Sequence, residues 1–463
     1  MAILKPGQKA AYGICRFGTS IFMNVTTLAA IWIYDNVFGL AGYPYLNSAA
    51  AAVGKIIIAF SSFIFGYISD IIPGNKINRR KFFIWTGAPM LAISFVMIFI
   101  PHLFISSTSI WSVFSWYLIW NSMFNLFYGY LLTPYQSWMT EITTEDDRVG
   151  MSGIQNFTNL FSNLLGFAFV FMIPTFLHLE EGQALTGDAS TTLIISIVVF
   201  AIIEMVVFLP ALLMIKEKKV ERKQRNILRE FKVVLTNRNY IIWFMAQGVY
   251  SMGLTLITAL VLDFATDILM FTNFIQTVVF GLLVFGTIML CFLAWVPIAK
   301  RIGKKWSIII SFLFLGAVLP FSLIFRVIPV GTLTFEYIGY LYAFLLGVGL
   351  SGPYLFPYAI IADIADKDER DTKESRAGMY NGFNSIPLNI FQAIALLLVG
   401  FLNNELFTFR LYLLGPIAGI FIVASIFILL LGNFDPFMKK NGFDTANTKS
   451  IESTEDPIDS VGG

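Results

Sequence analysis

Residues 216–238 read KEKKVERKQRNILREFKVVLTNR, and nine of them are Lys or Arg. The stretch is too polar to enter a bilayer, yet it lies between two runs, 190–215 and 239–261, that are too apolar to stay in water. Working outward from it, further apolar runs occupy 150–177, 112–138, 82–104, 44–70 and 11–38 on one side. On the other they occupy 272–299, 306–328, 334–362, 378–402 and 407–431. Each is long enough to cross a hydrocarbon core about 30 Å thick. The fold class implied is an all-α membrane protein of twelve transmembrane helices in two six-helix bundles. The expected units are residues 1–215, a basic linker 216–238, a second bundle 239–433 and a polar, disordered tail 434–463.

Composition agrees with this reading. Hydrophobic residues make up 57% of the 463 and charged ones 13%, with mean hydropathy +0.74; soluble domains carry about 25% charge. The formal net charge of +2 gives no reason to expect nucleic acid. Cys15 and Cys291 are the only cysteines and stand in apolar surroundings, so neither a disulfide framework nor a thiolate metal cluster is expected. The first apolar run is too long for a signal peptide, so the first span is expected to be retained.

Charge distribution sets orientation. Lys76, Arg79, Arg80 and Lys81, the linker, Lys300 to Lys305, and Lys367 to Arg376 fall in alternate connections, whereas the others hold almost no Lys or Arg. The positive-inside rule puts the basic set and both termini in the cytoplasm of a cell-membrane, multi-pass protein. Within the linker, Ile227, Leu228, Phe231, Val234 and Leu235 suit either an amphipathic segment on the membrane surface or a solvated connection. Two bundles so joined match carriers in which the halves rock around a midplane site.

Ionisable groups at membrane depth are candidate functional residues, because burying them is costly unless they are paired or face water. Lys55 and Glu204 lie near the middle of their spans, and Arg16 lies shallower, where it can also extend to the interface. Uncharged polar residues recur at helical spacing: Ser20, Asn24 and Thr27 in span one; Ser62 in span two; Asn121, Asn125 and Tyr128 in span four; Gln155, Asn159 and Ser162 in span five; Asn381, Ser385, Asn389 and Gln392 in span eleven. Such stripes serve a wet central pathway for a polar or amphipathic solute, or else hydrogen bonds between helices. No three-ligand metal site, ATP-binding loop or acid–base constellation is present, so no cofactor, metal or enzymatic activity is expected.

Several motifs carry a family resemblance. Tyr12-Gly13 with Phe17-Gly18, Gly66-Tyr67-Ile68-Ser69-Asp70 followed by Arg79-Arg80-Lys81, and Ala299 to Lys305 recur in order. Glu141 to Arg148, and Ala362-Asp363-Ile364-Ala365-Asp366 with Arg376, complete the set. Over residues 9–430 the chain resembles the major facilitator superfamily, and within it the glycoside-pentoside-hexuronide:cation symporters that include the melibiose carrier. Asp70, Arg79, Arg80, Arg148, Lys304, Asp363, Asp366 and Arg376 are then candidate gating residues, whose ion pairs would break as the halves rock. Ordinary interfacial charge is the competing use for the basic members.

The departures from that family bear on coupling. Ser20, Ile58, Ser62 and Leu132 stand where the resemblance places carboxylates for sugar and sodium, and isoleucine and leucine offer a hard cation no side-chain oxygen. The expectation is a secondary transporter of a small organic solute, a sugar or glycoside, working by alternating access with a proton as coupling ion. The alternative is an uncoupled facilitator or a carrier of an amphipathic, lipid-like solute. A monomer in the lipid bilayer is expected.

Overall fold

Fourteen α-helices, and no strand, occur among the described residues of the computed structural model, which are 4–40, 42–72, 79–105, 109–143, 145–177, 187–216, 227–271, 273–372, 377–402 and 410–435. The first expected span is broken at Ile14–Cys15 into α1 (Pro6–Gly13) and α2 (Arg16–Asn36). Then come α3 (Pro44–Ile71), α4 (Arg79–Phe99), α5 (Ile110–Ile142), α6 (Glu145–Leu177) and α7 (Gly187–Met214). The short α8 (Ile227–Thr236) falls within the basic stretch. It is followed by α9 (Arg238–Asp263), α10 (Phe274–Ile302), α11 (Lys304–Val318), α12 (Leu333–Thr372), α13 (Ala377–Leu402) and α14 (Arg410–Leu430).

Local chemistry explains several boundaries. Pro6 and Pro44 occupy first helical positions, where a missing N–H costs nothing. Asn237 and Asn273 cap α9 and α10, their side chains accepting from the N–H groups of Tyr240 (3.2 Å) and Ile275 (3.1 Å). Gly303, at φ 89°, makes the one-residue turn from α10 to α11. A five-residue π-helical turn, Phe264–Ile268, ends α9, and a 3-10 segment, Leu319–Arg326, prolongs α11. α8 packs on α9 and α13, with Val234 buried.

Ten segments among the described residues are long and apolar enough to cross a bilayer. They correspond to all the expected spans except the fourth and fifth. α6 supplies a shorter apolar stretch, Phe157–Ile173, and α5, 33 residues long, carries Tyr117, Asn121, Asn125, Tyr128 and Tyr130 along its length. At 40 residues α12 is about 60 Å long, roughly twice the hydrocarbon core. The chain is an all-α, multi-pass membrane protein.

Helix pairing repeats. α3 packs on α5, α4 on α5 and α7, and α2 on α6 and α7; in parallel, α10 packs on α12, α11 on α12 and α14, and α9 on α13 and α14. Matching α2–α7 in order to α9–α14 maps every pair of the first set onto one of the second. Contacts between the sets join α2 to α9, α3 to α13 and α6 to α10. Exchanging the sets leaves the first pair unchanged and interconverts the other two, as a pseudo-two-fold axis requires. At the end opposite the N-terminus the sets meet closely. A Cβ on Gly400 of α13 would lie 2.8 Å from that of Ser48 of α3, and Phe171 of α6 meets Phe280 of α10 edge to face at 5.6 Å.

Packing on the second set continues past the tail boundary placed at residue 434. Phe434 is fully buried, 5.7 Å from the Trp243 ring. Both carboxylate oxygens of Asp435 accept from the free N–H groups at the start of α11, Lys304 N at 2.7 Å and Lys305 N at 3.0 Å. Residues 436–463 lie outside the described residues.

Candidate substrate cavity and coupling residues

α2, α3, α5 and α13 line a partly open cavity of about 30 Å³, room for one or two waters. Its wall is written in i, i+4 pairs that place both members on one helix face: Met23–Thr27–Ile31, Ala51–Lys55 and Tyr117–Asn121–Asn125. Thr26 and Phe124 complete the first set's share, and Leu396 of α13 closes the cavity from the second. The asparagines are fixed. Asn121 Nδ2 donates to Ala50 O at 2.9 Å, and Asn125 Nδ2 donates to Asn121 O at 2.8 Å and Oδ1 at 3.1 Å. Gly54 makes this possible, because a methyl group there would overlap Asn121 Nδ2 and lie 2.6 Å from Asn125 Nδ2. Thr26 Oγ1 is buried with no hydrogen-bond partner among the described residues, and half-buried Lys55 makes neither hydrogen bond nor ion pair among them.

A second polar group lies between α2 and α6. Asn159 Oδ1 accepts from Ser20 Oγ at 2.5 Å and from Arg16 Nη2 at 3.4 Å; one turn further, Asn24 Nδ2 donates to Asn163 Oδ1 at 2.7 Å. Glu204 of α7 is fully buried beside this ladder, and neither carboxyl oxygen has a hydrogen-bond partner among the described residues. It packs on Gly18, where an added Cβ would come within 2.8 Å of the Glu204 Cα. The Arg16 guanidinium acts on it electrostatically.

The structure thus brings Lys55, Asn121 and Asn125 together and gathers Arg16, Ser20, Asn24, Asn159 and Glu204 separately. Ser62 lies at the α3–α5 crossing, where a Cβ on Gly129 would be 3.0 Å from its Oγ. Tyr128 is buried with its ring 6.1 Å from Phe124. Asn389 Nδ2 donates to its own helix at Ser385 O (2.7 Å), and Gln392 is half-buried on the same helix. None of these four is among the described residues lining the cavity. Thr26, Tyr117 and Gly54 were missed from the candidate residues; Tyr117 stands one turn before Asn121 and was legible by extending that stripe backward.

At the N-terminal end of the molecule, Lys304 forms an ion pair with Asp363, joining α11 to α12, while Asp366 is exposed. Arg80 is buried and donates to Ser69 Oγ. Two lysines do related work in the two sets. Lys81 Nζ donates to Leu212 O in the last turn of α7 at 2.5 Å, and Lys305 Nζ donates to Leu430 O at the end of α14 at 3.0 Å and to Gly432 O at 2.6 Å. Each thereby satisfies a terminal carbonyl and complements the negative end of a helix. The side chains of Asp70, Arg79 and Arg148 lie outside the described part, as does Arg376 altogether.

Residues 11–406 match the family model described as MFS/sugar transport protein. The chain belongs to this family. Among its relatives is a Synechocystis sp. protein described as an uncharacterized symporter, 22% identical over 469 aligned positions covering 85% of this chain and 84% of the relative. Of solved structures, a D-xylose–proton symporter superposes with TM-score 0.66 at 13% identity, covering 94% of this chain and 99% of its own. A structure of proton-dependent oligopeptide transporters gives 0.64 at 13%, covering 92% and 97%, and the inward-open xylose transporter XylE of E. coli gives 0.60 at 15%, covering 94% and 96%. At such identities the shared property is the fold. As a member of the MFS, the protein is a secondary transporter of a small solute working by alternating access, and not an enzyme.

Proposed function

We propose that this transporter moves a sugar or glycoside through the cavity between α2, α3, α5 and α13, with a proton as coupling ion carried at Glu204. The observation that carries the reading is the convergence of Lys55, Thr26, Asn121 and Asn125 on one wet-sized space at the junction of the two helix sets. Hydroxyl groups of a solute can pair with such groups, and Leu396, reaching in from α13, gives the second set a hand in opening and closing the space. No described carboxylate lines the cavity, which disfavours sodium there. Glu204 can bind and release a proton between α2 and α7 with no hydrogen bond to break among the described residues.

The same reading includes twelve spans in two bundles of six divided at the 216–238 linker, cytoplasmic termini and a monomeric working unit. It also includes a place near the glycoside-pentoside-hexuronide:cation symporters. The repeated pairing of α2–α7 and α9–α14 supports the first of these. Uptake of labelled sugars and glycosides into proteoliposomes under an imposed pH gradient, with and without sodium, tests it. Proton-driven accumulation is expected, and sodium-driven accumulation indifferent to the pH gradient would overturn the coupling.

A second reading is favoured by the other half of the cavity wall. Met23, Ile31, Phe124 and Leu396 are apolar, which suits an amphipathic solute, carried with or without coupling. Uptake of alkyl glycosides in preference to the parent sugars would favour it.

A further inference from the structure

Lys55 carries the only full charge among the eleven described residues lining the cavity. Among the described residues it has no ion-pair or hydrogen-bond partner. Of the buried carboxyl groups, Asp35 acts electrostatically on Tyr117, itself a lining residue, and Glu204 is acted on by Arg16; neither lines the cavity or pairs with Lys55 among the described residues. An ammonium at membrane depth without a counter-ion is costly, and pairing it lowers that cost. Thr26, an unpartnered buried hydroxyl, lines the same space, whereas the amide N–H groups of Asn121 and Asn125 are already directed to Ala50 O and Asn121. The strongest unmet groups are therefore a cation and a hydroxyl donor, and their complement is an anion.

We propose that Lys55 and Thr26 form the anion-binding end of the translocation site, so that the cargo carries a carboxylate, which seats between them. The inference rests on reading this cavity as the translocation site. Its volume of about 30 Å³ fits one carboxylate-sized group rather than a whole solute. The remainder of the cargo extends toward Leu396, which must withdraw with α13 to admit it.

The test uses the purified full-length carrier and two matched pairs, gluconate with glucitol and lactate with 1,2-propanediol, each pair differing only in a carboxylate exchanged for a CH2OH. Stabilisation against thermal unfolding reports binding. The acids are expected to stabilise at concentrations at least about tenfold below the matched alcohols, with the preference kept in Lys55→Arg and lost in Lys55→Gln. If a variant is not monodisperse, the ratio within each pair on the unaltered carrier decides. Equal stabilisation by glucitol and gluconate overturns the anion site and leaves the sugar reading standing. Stabilisation by lactate with no response to either six-carbon compound keeps the anion site and overturns the sugar reading. No response to any of the four overturns both.

Discussion

The carboxyl group of Glu204 fills the space that a side chain on Gly18 would need, so that α2 and α7 approach closely where the buried acid lies. Small residues at such crossings let helix backbones meet inside a membrane. Gly18→Ala is expected to destabilise the fold by about 1–3 kcal/mol through overpacking. The Gly18→Ala/Glu204→Ala double variant is expected to recover part of that loss. Thermal unfolding in detergent of the single and double variants checks the coupling.

Removing the proton-binding capacity of Glu204 while keeping its shape separates coupling from packing. Glu204→Gln is expected to fold and to exchange solute down its gradient, but to lose accumulation driven by an imposed pH gradient. Counterflow and pH-driven uptake measured on the same vesicles distinguish the two. Undiminished accumulation would remove Glu204 from the coupling step.

Gly54 predicts a defect confined to the cavity. A methyl group there displaces the amides of Asn121 and Asn125, so Gly54→Ala is expected to weaken solute binding by about tenfold, equivalent to roughly 1.4 kcal/mol. Because the clash falls on two fixed side chains, a saturation curve should show a raised half-saturation concentration.

The Lys304–Asp363 pair is partly exposed, with side chains 30% and 19% accessible. Pairs of this kind contribute about 0.2–1 kcal/mol. Asp363→Asn is accordingly expected to change the rate of exchange between access states by no more than about fivefold. Single-molecule distance measurements across the halves would show this, and a larger change would assign the pair a greater share of the gate.

Lys81→Ala and Lys305→Ala are expected to loosen the last turns of α7 and α14 respectively, each at about 0.3–1 kcal/mol. Hydrogen exchange should rise at those turns and not at the opposite helix ends.

The chain's apolar runs made the helices legible, and the alternating basic connections marked the loops between them, because membrane insertion is governed by local hydropathy and charge. Helical spacing also marked Lys55 and the Asn121–Asn125 pair. Spacing identifies a face and does not identify its neighbour. Arg16, Ser20 and Asn24 share a face with one another, but only the rotation of α2 against α6 shows that this face meets Asn159 and Asn163. Asp435 was hidden for another reason: its role depends on free N–H groups more than a hundred residues earlier, at the start of α11.

The lysine bridges have a consequence for how the chain can be divided. Lys81 ties α4 to the end of α7, and Lys305 ties α11 to the end of α14, so each bridge begins and ends on the same side of residues 217–226. Cutting the chain there severs neither. Two fragments made as separate polypeptides in one cell are therefore expected to find each other and restore solute uptake, whereas a cut between α4 and α7 would split a bridge and its helix end onto different chains.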